Sequence, residues 1–249
     1  MFITAASLMI PFLATSQTQQ TGSRQFISLD GNWKLAPAGT NQSYEVVVPG
    51  SWQSRIPELR DFVGRVEYTR QVSIPESWAG KRVYICFGAV DYLAEVSING
   101  QRIGSHEGGY TPFEFEITSY VRFGQDNDIR VDVVDSGKDQ PVEGIKFEEI
   151  PHGKQSWYGN NSGIWQSVRL EARNSRWIKR LVVDPDIDAS TLALRVEFDG
   201  PAAGTLRLSF TSPEGADPVP NLEVELSGTE TAVERKIQVP RPRLWSPDH

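Results

Sequence analysis

Apolar and polar residues alternate with a period of two over most of the chain. In the stretch RVYICF, one side of an extended backbone would carry Val83, Ile85 and Phe87. The stretch DIRVDVV alternates in the same way, with Arg130 and Asp132 on its polar side. Successive side chains of a strand point to opposite faces, so this pattern predicts half-buried antiparallel strands. No helical period persists beyond about two turns.

Turn residues separate these strands. The stretch VSINGQRIG places Asn99-Gly100 between two apolar alternations, which predicts a tight hairpin because both turn positions require a positive φ. Many short strands punctuated by Gly, Pro and Asn are typical of a sandwich or a jelly roll. The sequence therefore predicts an all-β fold.

The alternation of apolar and polar residues becomes shorter and more regular after Asn174-Ser175. Five short alternating segments follow, at 177–183, 192–198, 206–210, 222–226 and 233–239. Their links are rich in Pro, Gly and Asp, which favours an immunoglobulin-type sandwich of about seven strands and about 100 residues. Residues 177–249 supply only 73, so we expect this second sandwich to be incomplete. Trp245 would anchor its lower core, before a turn that begins at Ser246.

Composition narrows the functional classes. The net charge of -7 argues against a nucleic-acid partner, which would favour a basic face. No run approaches the roughly 18 apolar residues of a transmembrane helix, so we predict no membrane partner. Cys86, the single cysteine, lies inside an apolar strand pattern and is predicted to be a buried thiol rather than a nucleophile.

The first residues have a different character. Residues 1–20 form an apolar stretch, a small-residue ATS and a polar Gln/Thr run. This order resembles a secretory signal peptide with cleavage near Ser16, and it predicts a secreted or periplasmic protein. A disordered or wrongly started N terminus is the alternative.

Several stretches together resemble the N-terminal part of family-2 glycoside hydrolases, the family of β-galactosidase, β-glucuronidase and β-mannosidase. They are SLDGNWKLA, VPGSWQS, GRVEYTRQVSIP, the run from FGAVDYLAEVSINGQRIG to DNDIRVDVVD, SGIWQSVRLE and LWSPD. Their ordered set spans about residues 25 to 249. The resemblance implies a jelly-roll (galactose-binding-like) sugar-binding domain at 21–174. An immunoglobulin-like sandwich would follow at 175–249, truncated before its last strands.

In this family the chemistry resides in a following (β/α)8 barrel, which needs about 250 further residues. The resemblance implies a retaining mechanism with two glutamates about 5 to 5.5 Å apart. We predict no catalytic residue in this chain, which would be inactive alone and would have the missing C-terminal barrel as its partner. The resemblance also leaves a homo-oligomer open, since family members commonly assemble.

The chain's own carboxylates do not suggest a catalytic pair. Glu148-Glu149 would point to opposite faces of an extended strand. Asp126 and Asp128 are predicted to serve a turn, and Glu107 precedes a Gly-Gly turn. We predict no metal and no cofactor, because the histidines are scattered and only one cysteine is present. The histidines are His106, His152 and His249.

The resemblance places substrate contacts on the loop at 150–165. That loop carries aromatic and amide side chains, which suit the hydroxyls and apolar faces of a sugar. The predicted substrate-binding residues are Gln155, Trp157, Tyr158, Asn160 and Asn161. Many relatives have an acidic residue in this region, which is lacking here. The alternative is that Trp157 and Tyr158 pack the loop onto the sandwich or the barrel.

A second loop, 53–64, also approaches the site in relatives, although we expect its Glu58 and Asp61 to be solvated. Four other tryptophans are predicted to be structural: Trp33, Trp52, Trp165 and Trp177. Of these, Trp165 is predicted to lie in the core together with Ile164.

The leading hypothesis is therefore the non-catalytic N-terminal portion of a β-glycosidase that contacts carbohydrate. The alternatives are a stand-alone carbohydrate-binding module and a structural or oligomerisation sandwich.

Overall fold

The computed structural model describes residues 18–21, 24–138, 140–151, 160–211, 219–242 and 244, with only the backbone at 18–21. The chain divides into two compact units, Met1–Arg173 and Asn174–His249. Within the described residues, strands dominate both units, which confirms the all-β prediction.

The described residues of the first unit form eleven strands and one short helix, α1 (Trp52–Arg55). The strands are β1 (Thr18–Thr21), β2 (Arg24–Ser28), β3 (Gly31–Pro37), β4 (Tyr44–Val48), β5 (Gly64–Ile74), β6 (Arg82–Phe87), β7 (Leu93–Ile98), β8 (Gln101–Glu107), β9 (Phe113–Glu116), β10 (Gln125–Asp135) and β11 (Val168–Arg173). One-turn 3-10 helices lie at Pro57–Leu59, Glu76–Trp78 and Phe147–Glu149.

These strands form two antiparallel sheets. One has the order β1-β2-β11-β6-β9 and the other β4-β3-β5-β10-β7-β8. The inward-facing apolar residues of both sheets form one core, in which Trp33, Leu35 and Tyr68 have almost no exposed surface. The expected β-sandwich is therefore present.

The predicted hairpin joins β7 to β8. Asn99 and Gly100 have φ values of 51° and 80°, and Ile98 pairs with Gln101 on either side of them. Both turn residues adopt the positive φ that this two-residue connection requires. The hairpin prediction is confirmed.

Strand β6 is buried on both faces, so the prediction of a half-buried strand is wrong there. Val83, Ile85 and Phe87 face the core as expected, but Tyr84 and Cys86 on the other face are also buried. The reason is a group of charged side chains over that outer face. Arg173 is the central member, 4.0 Å above the ring of Tyr84.

In the described part of the second unit, three strands replace the five that the sequence suggested. They are β12 (Ile178–Asp186), β13 (Thr191–Leu208) and β14 (Leu222–Gln238), in the order β12-β13-β14. Strand β13 runs through the DGPAAG segment that resembled a link. A register shift between Glu197 and Ala202, together with a positive φ at Gly200, accommodates that segment within one strand. Trp245 lies outside the described residues.

Two local expectations about carboxylates are also corrected. Asp126 and Asp128 lie in strand β10 rather than in a turn. Glu148 and Glu149 belong to the 3-10 helix Phe147–Glu149, not to an extended strand, and Glu149 pairs with Lys146 at 3.1 Å.

Of the predicted signal peptide, residues 1–17 lie outside the described residues, and Thr18–Thr21 pairs with β2 as strand β1. Among the helices of the described residues, none is long and apolar enough to cross a membrane.

Candidate functional site

A polar cavity of about 590 Å³ lies in the first unit, beside helix α1. Three segments form it: the loop that begins with α1, the chain just after β10, and the residues that approach β11. Its lining is Ser51, Gln53, Ser54, Arg60, Asp61, Phe62, Val63, Gly137, Lys138, Gln140, Asn160 and Asn161.

Helix α1 fixes the first segment. The hydroxyl of Ser51 caps the helix by accepting a hydrogen bond from the Ser54 backbone N–H at 3.4 Å. Trp52 is fully buried, and its indole N–H donates to the carbonyl of Phe62 at 3.0 Å. Because this bond spans ten residues, it ties the two ends of the loop together.

A hydrogen-bonded group of side chains links the other two segments to α1. Gln53 donates from Nε2 to Ser162 Oγ at 2.7 Å and accepts from the Ser162 N–H at 3.0 Å. The Ser162 hydroxyl in turn donates to the carboxylate of Asp135. The Ser136 N–H also donates to that carboxylate, at 2.8 Å. One side of the cavity is therefore held by specific polar contacts.

The structure describes two of the five predicted substrate-binding residues. Asn160 donates from its amide to the Ser136 carbonyl at 2.8 Å, so its N–H group is already used inside the protein. Asn161 is exposed and lines the cavity. Gln155, Trp157 and Tyr158 lie outside the described residues, and their roles stay predictions.

Solvated polar side chains surround the cavity. Arg60, Asp61, Lys138 and Gln140 are exposed, like Asn161. Within the described part of the chain, none of these side chains makes an ion pair or a hydrogen bond with another residue. Glu58, in the same loop, is exposed as predicted. The cavity thus offers two cations, one carboxylate and two amides to a ligand.

Two buried carboxyls near this site were missed by the sequence reasoning. Asp91 is 8% exposed and Asp135 is 4% exposed. Burial, and then the negative charge of Asp135, raise the pKa of Asp91 to about 7. Oδ1 of Asp91 has no hydrogen-bond partner among the described atoms. The only sequence signal was an Asp after each of the apolar runs FGAV and RVDVV.

Aromatic residues lie close to Asp91. The Trp165 indole donates to the Gly109 carbonyl at 2.7 Å, and its ring lies 5.9 Å from that of Tyr110, which is 53% exposed. Trp165 is half-buried, whereas the sequence predicted a core position. Trp177 is also half-buried. Ile164, like Trp33 and Trp52, is buried as predicted.

Among the described residues, no group of three or more His, Cys, Asp or Glu could hold a metal ion. His106 stacks on Phe113 with ring centroids 4.1 Å apart and lies 3.2 Å from the Thr111 hydroxyl. These contacts explain His106 as a packing residue of strand β8.

Two antiparallel sheets packed face to face are typical of the jelly-roll class, which includes lectin domains. Residues 18–173, more than half of the chain, match the family model for the sugar binding domain of glycosyl hydrolases family 2. The chain belongs to glycoside hydrolase family 2.

The relatives are enzymes much longer than this chain. A β-galactosidase of Thermoanaerobacter pseudethanolicus is 30% identical over 73% of the chain and 24% of its own length. A β-glucuronidase of Paenibacillus borealis is 24% identical over 92% of the chain and 41% of its own length. The solved β-D-glucuronidase of Dictyoglomus thermophilum superimposes with a TM-score of 0.69, at 24% identity, over 92% of this chain and 40% of that one. The chain thus spans well under half of each of these proteins.

Proposed function

We propose that this chain is the non-catalytic N-terminal portion of a family-2 β-glycosidase and that its cavity holds the non-reacting end of the substrate. In the complete enzyme the reaction would be hydrolysis of a terminal β-glycosidic bond with retention, carried out by a catalytic barrel. The family membership and the enzymes named among the relatives support this proposal.

The observation that carries the proposal is the contrast between the fixed and the free polar groups of the cavity. Gln53, Ser162 and Asp135 bind one another, whereas the side chains of Arg60 and Asn161 remain solvated. A saccharide needs several convergent donors and acceptors with little ordering cost. The fixed residues of the cavity are already ordered, so on binding only the solvated side chains would lose rotamer freedom.

The charges of the cavity suggest which sugars to test. Arg60 and Lys138 supply two cations, and Asp61 supplies one carboxylate. A glucuronide carboxylate could pair with either cation. We therefore expect a β-glucuronide to bind at least as well as a β-galactoside or a β-mannoside.

Calorimetric and NMR titration of the chain with the three methyl β-glycosides tests this proposal. Asn161→Ala and Arg60→Ala should weaken binding, because each removes a solvated donor of the cavity. Arg207→Ala in the second unit is the matched control: its side chain is 73% exposed and lies outside the cavity. No binding of any of the three sugars would refute the proposed sugar contact.

Trp157→Ala extends the test to the loop outside the described residues. Loss of binding with this variant would support a sugar contact there. Unchanged binding together with a lower melting temperature would support the alternative, in which Trp157 packs the loop.

Two assays separate the proposal from its alternatives. Hydrolysis of a chromogenic β-glycoside by the purified chain would contradict a non-catalytic role. Tight binding of a β-linked saccharide by the chain alone, at a micromolar Kd, would favour a stand-alone binding module. Export also remains a proposal: N-terminal sequencing of the secreted product should give a start near residue 17.

A further inference from the structure

The backbone of Asp91 is bonded to the wall of the cavity. The Asp91 N–H donates to the Gly163 carbonyl at 3.0 Å, and the Gly163 N–H donates to the Asp91 carbonyl at 2.7 Å. Gly163 directly follows Ser162, whose backbone and hydroxyl contact Gln53 in the cavity. A displacement of Asp91 would therefore be passed on to the segment Asn161–Gly163.

Gly163 has little room to absorb such a displacement. Its φ of 106° lies in the region that favours glycine, and a Cβ at this position would meet the Tyr68 hydroxyl and lie 3.1 Å from the Trp52 ring. Both of these aromatic side chains are fully buried. The segment is held by tight packing on one side and by Asp91 on the other.

The carboxyl of Asp91 lies directly against the backbone of Gly109. A Cβ at Gly109 would lie 2.5 Å from Asp91 Cγ, so only glycine allows this approach. Oδ1 of Asp91 is buried without a hydrogen-bond partner. A neutral carboxyl tolerates such a site far better than a carboxylate, whose desolvation needs a compensating charge or donors.

The groups that face Asp91 do not supply that compensation. Among the described residues, Asp135 is the charged group that acts on Asp91, and the phenols of Tyr92 and Tyr110 lie within reach of the Asp91 charge. Asp135 is itself held as an acceptor by Ser136 and Ser162. An ionised Asp91 would therefore add a second negative charge to a nearly dry site, next to the residues that fix Ser162.

Resting on the sugar contact proposed above, we propose that Asp91 is a positioning residue for the cavity: its protonated form holds Ser162 and Gly163 in place, and loss of the proton loosens this wall. Because burial raises its pKa to about 7, the change would fall across neutral pH. Saccharide binding would then be stronger on the acidic side of this range.

Backbone NMR of the chain tests this coupling without any sugar. Between about pH 5.5 and about pH 8.5, the amide signals of Ser162 and Gly163 should shift together, with one midpoint near 7. The protection factor of the Gly163 amide should fall about tenfold, the factor that corresponds to one pKa unit of coupling. The carboxyl carbon of Asp91 should titrate with the same midpoint.

Asp91→Asn keeps the size of the side chain and removes the charge, so it should abolish the transition at Ser162 and Gly163. Asp126→Asn is the control, because it changes an exposed carboxyl on the same strand as Asp135. If the wild-type amides do not respond to pH, or if the Asp91 carboxyl carbon titrates near the value of an exposed Asp, the proposal fails. The carbon titration decides even if Asp91→Asn does not fold.

The two proposals can fail separately. Absence of saccharide binding at every pH would refute the sugar contact and leave the amide transition as evidence that Asp91 positions the wall. Saccharide binding that does not vary with pH, together with silent amides, would overturn the role of Asp91 only.

Discussion

Glu171 is a buried charge on the outer face of a sheet, and its removal offers a sharp test of the fold. Its side chain is 1% exposed. Its carboxylate contacts Arg173 at 2.8 Å, Arg24 at 3.3 Å and Arg169 at 3.4 Å. Arg173 is itself only 3% exposed and also binds Glu114 at 2.5 Å. The two central charges are therefore compensated almost entirely by each other and by this group.

We expect Glu171→Ala to lower the free energy of unfolding of the first unit by about 3 kcal/mol. Breaking a buried ion pair from one side costs about 3 to 5 kcal/mol, because the other charge stays buried. The lower end applies here. Glu114 still neutralises Arg173, while Arg24 and Arg169 are 39% and 47% exposed and can hydrate.

Urea unfolding followed by tryptophan fluorescence measures this change, since Trp33, Trp52 and Trp78 are buried in the first unit. With an m-value of about 2 to 3 kcal/mol/M, the midpoint should fall by about 1 M. Glu149→Ala is the control in the same unit. It removes a pair with Lys146 that is about two-thirds exposed on both sides and should cost at most about 0.5 kcal/mol.

A double variant separates the orphaned charge from lost packing. Replacing Glu171 by Leu and Arg173 by Met keeps most of the volume and leaves no unpaired charge at the centre, so most of the lost stability should return. If Glu171→Ala lost no more stability than Glu149→Ala, the reasoning would be refuted. A double variant as unstable as Glu171→Ala would show that packing, and not charge, explains the loss.

Three further predictions concern groups whose surroundings are equally well defined. Burial raises the pKa of Cys86 to about 12, so at about pH 8 a chromogenic disulfide reagent should modify the folded chain at least about tenfold more slowly than the urea-unfolded chain; equal rates would contradict a buried strand thiol. Gly163→Ala should cost about 2 kcal/mol more than Gly200→Ala in thermal unfolding, because both glycines have a positive φ but only at Gly163 would the new Cβ meet Tyr68; equal costs would refute the steric reason. The folded state raises the pKa of Asp91 from 3.8 to about 7 and so binds its proton more tightly than the unfolded state does. Stability should therefore fall by up to about 4 kcal/mol between about pH 4 and about pH 7. Asp91→Asn should remove that dependence in denaturant titrations, and an unchanged slope would assign it to other groups.

The features predicted correctly from the sequence are those set by neighbours along the chain. The strands of the first unit follow from the period of two, and the hairpin follows from Asn99-Gly100. These patterns report the backbone conformation of a few consecutive residues. The strand boundaries of the second unit were harder to predict, because the local sequence around Gly200 suits a link between two strands as well as a bulge within one. Pairing with β14, more than twenty residues away, selects the bulge.

The predicted exposure of the outer face of β6 was wrong for the same physical reason, since residues distant in the sequence decide it. Tyr84 and Cys86 occupy positions that alternation assigns to solvent, and they are buried because Glu171 and Arg173 arrive from β11, more than eighty residues later. A charged residue in a strand pattern normally marks an exposed face. Here the charges neutralise one another and cover the sheet themselves.

The candidate site depends even more on long-range pairing. Asp91 contacts Gly163 across seventy-two positions, and Asp135 reaches Ser162 across twenty-seven. In the sequence, each of these aspartates is only one polar residue at the end of an apolar run. Their importance arises when two sheets bring both carboxyls to one segment, with no positive charge among the described groups acting on Asp91. The residues that sequence reasoning selected, Asn160 and Asn161, lie on that same segment, but their positions are set by partners that the motif does not contain. A search for sugar contacts in this family should therefore examine what holds the loop as well as what the loop presents.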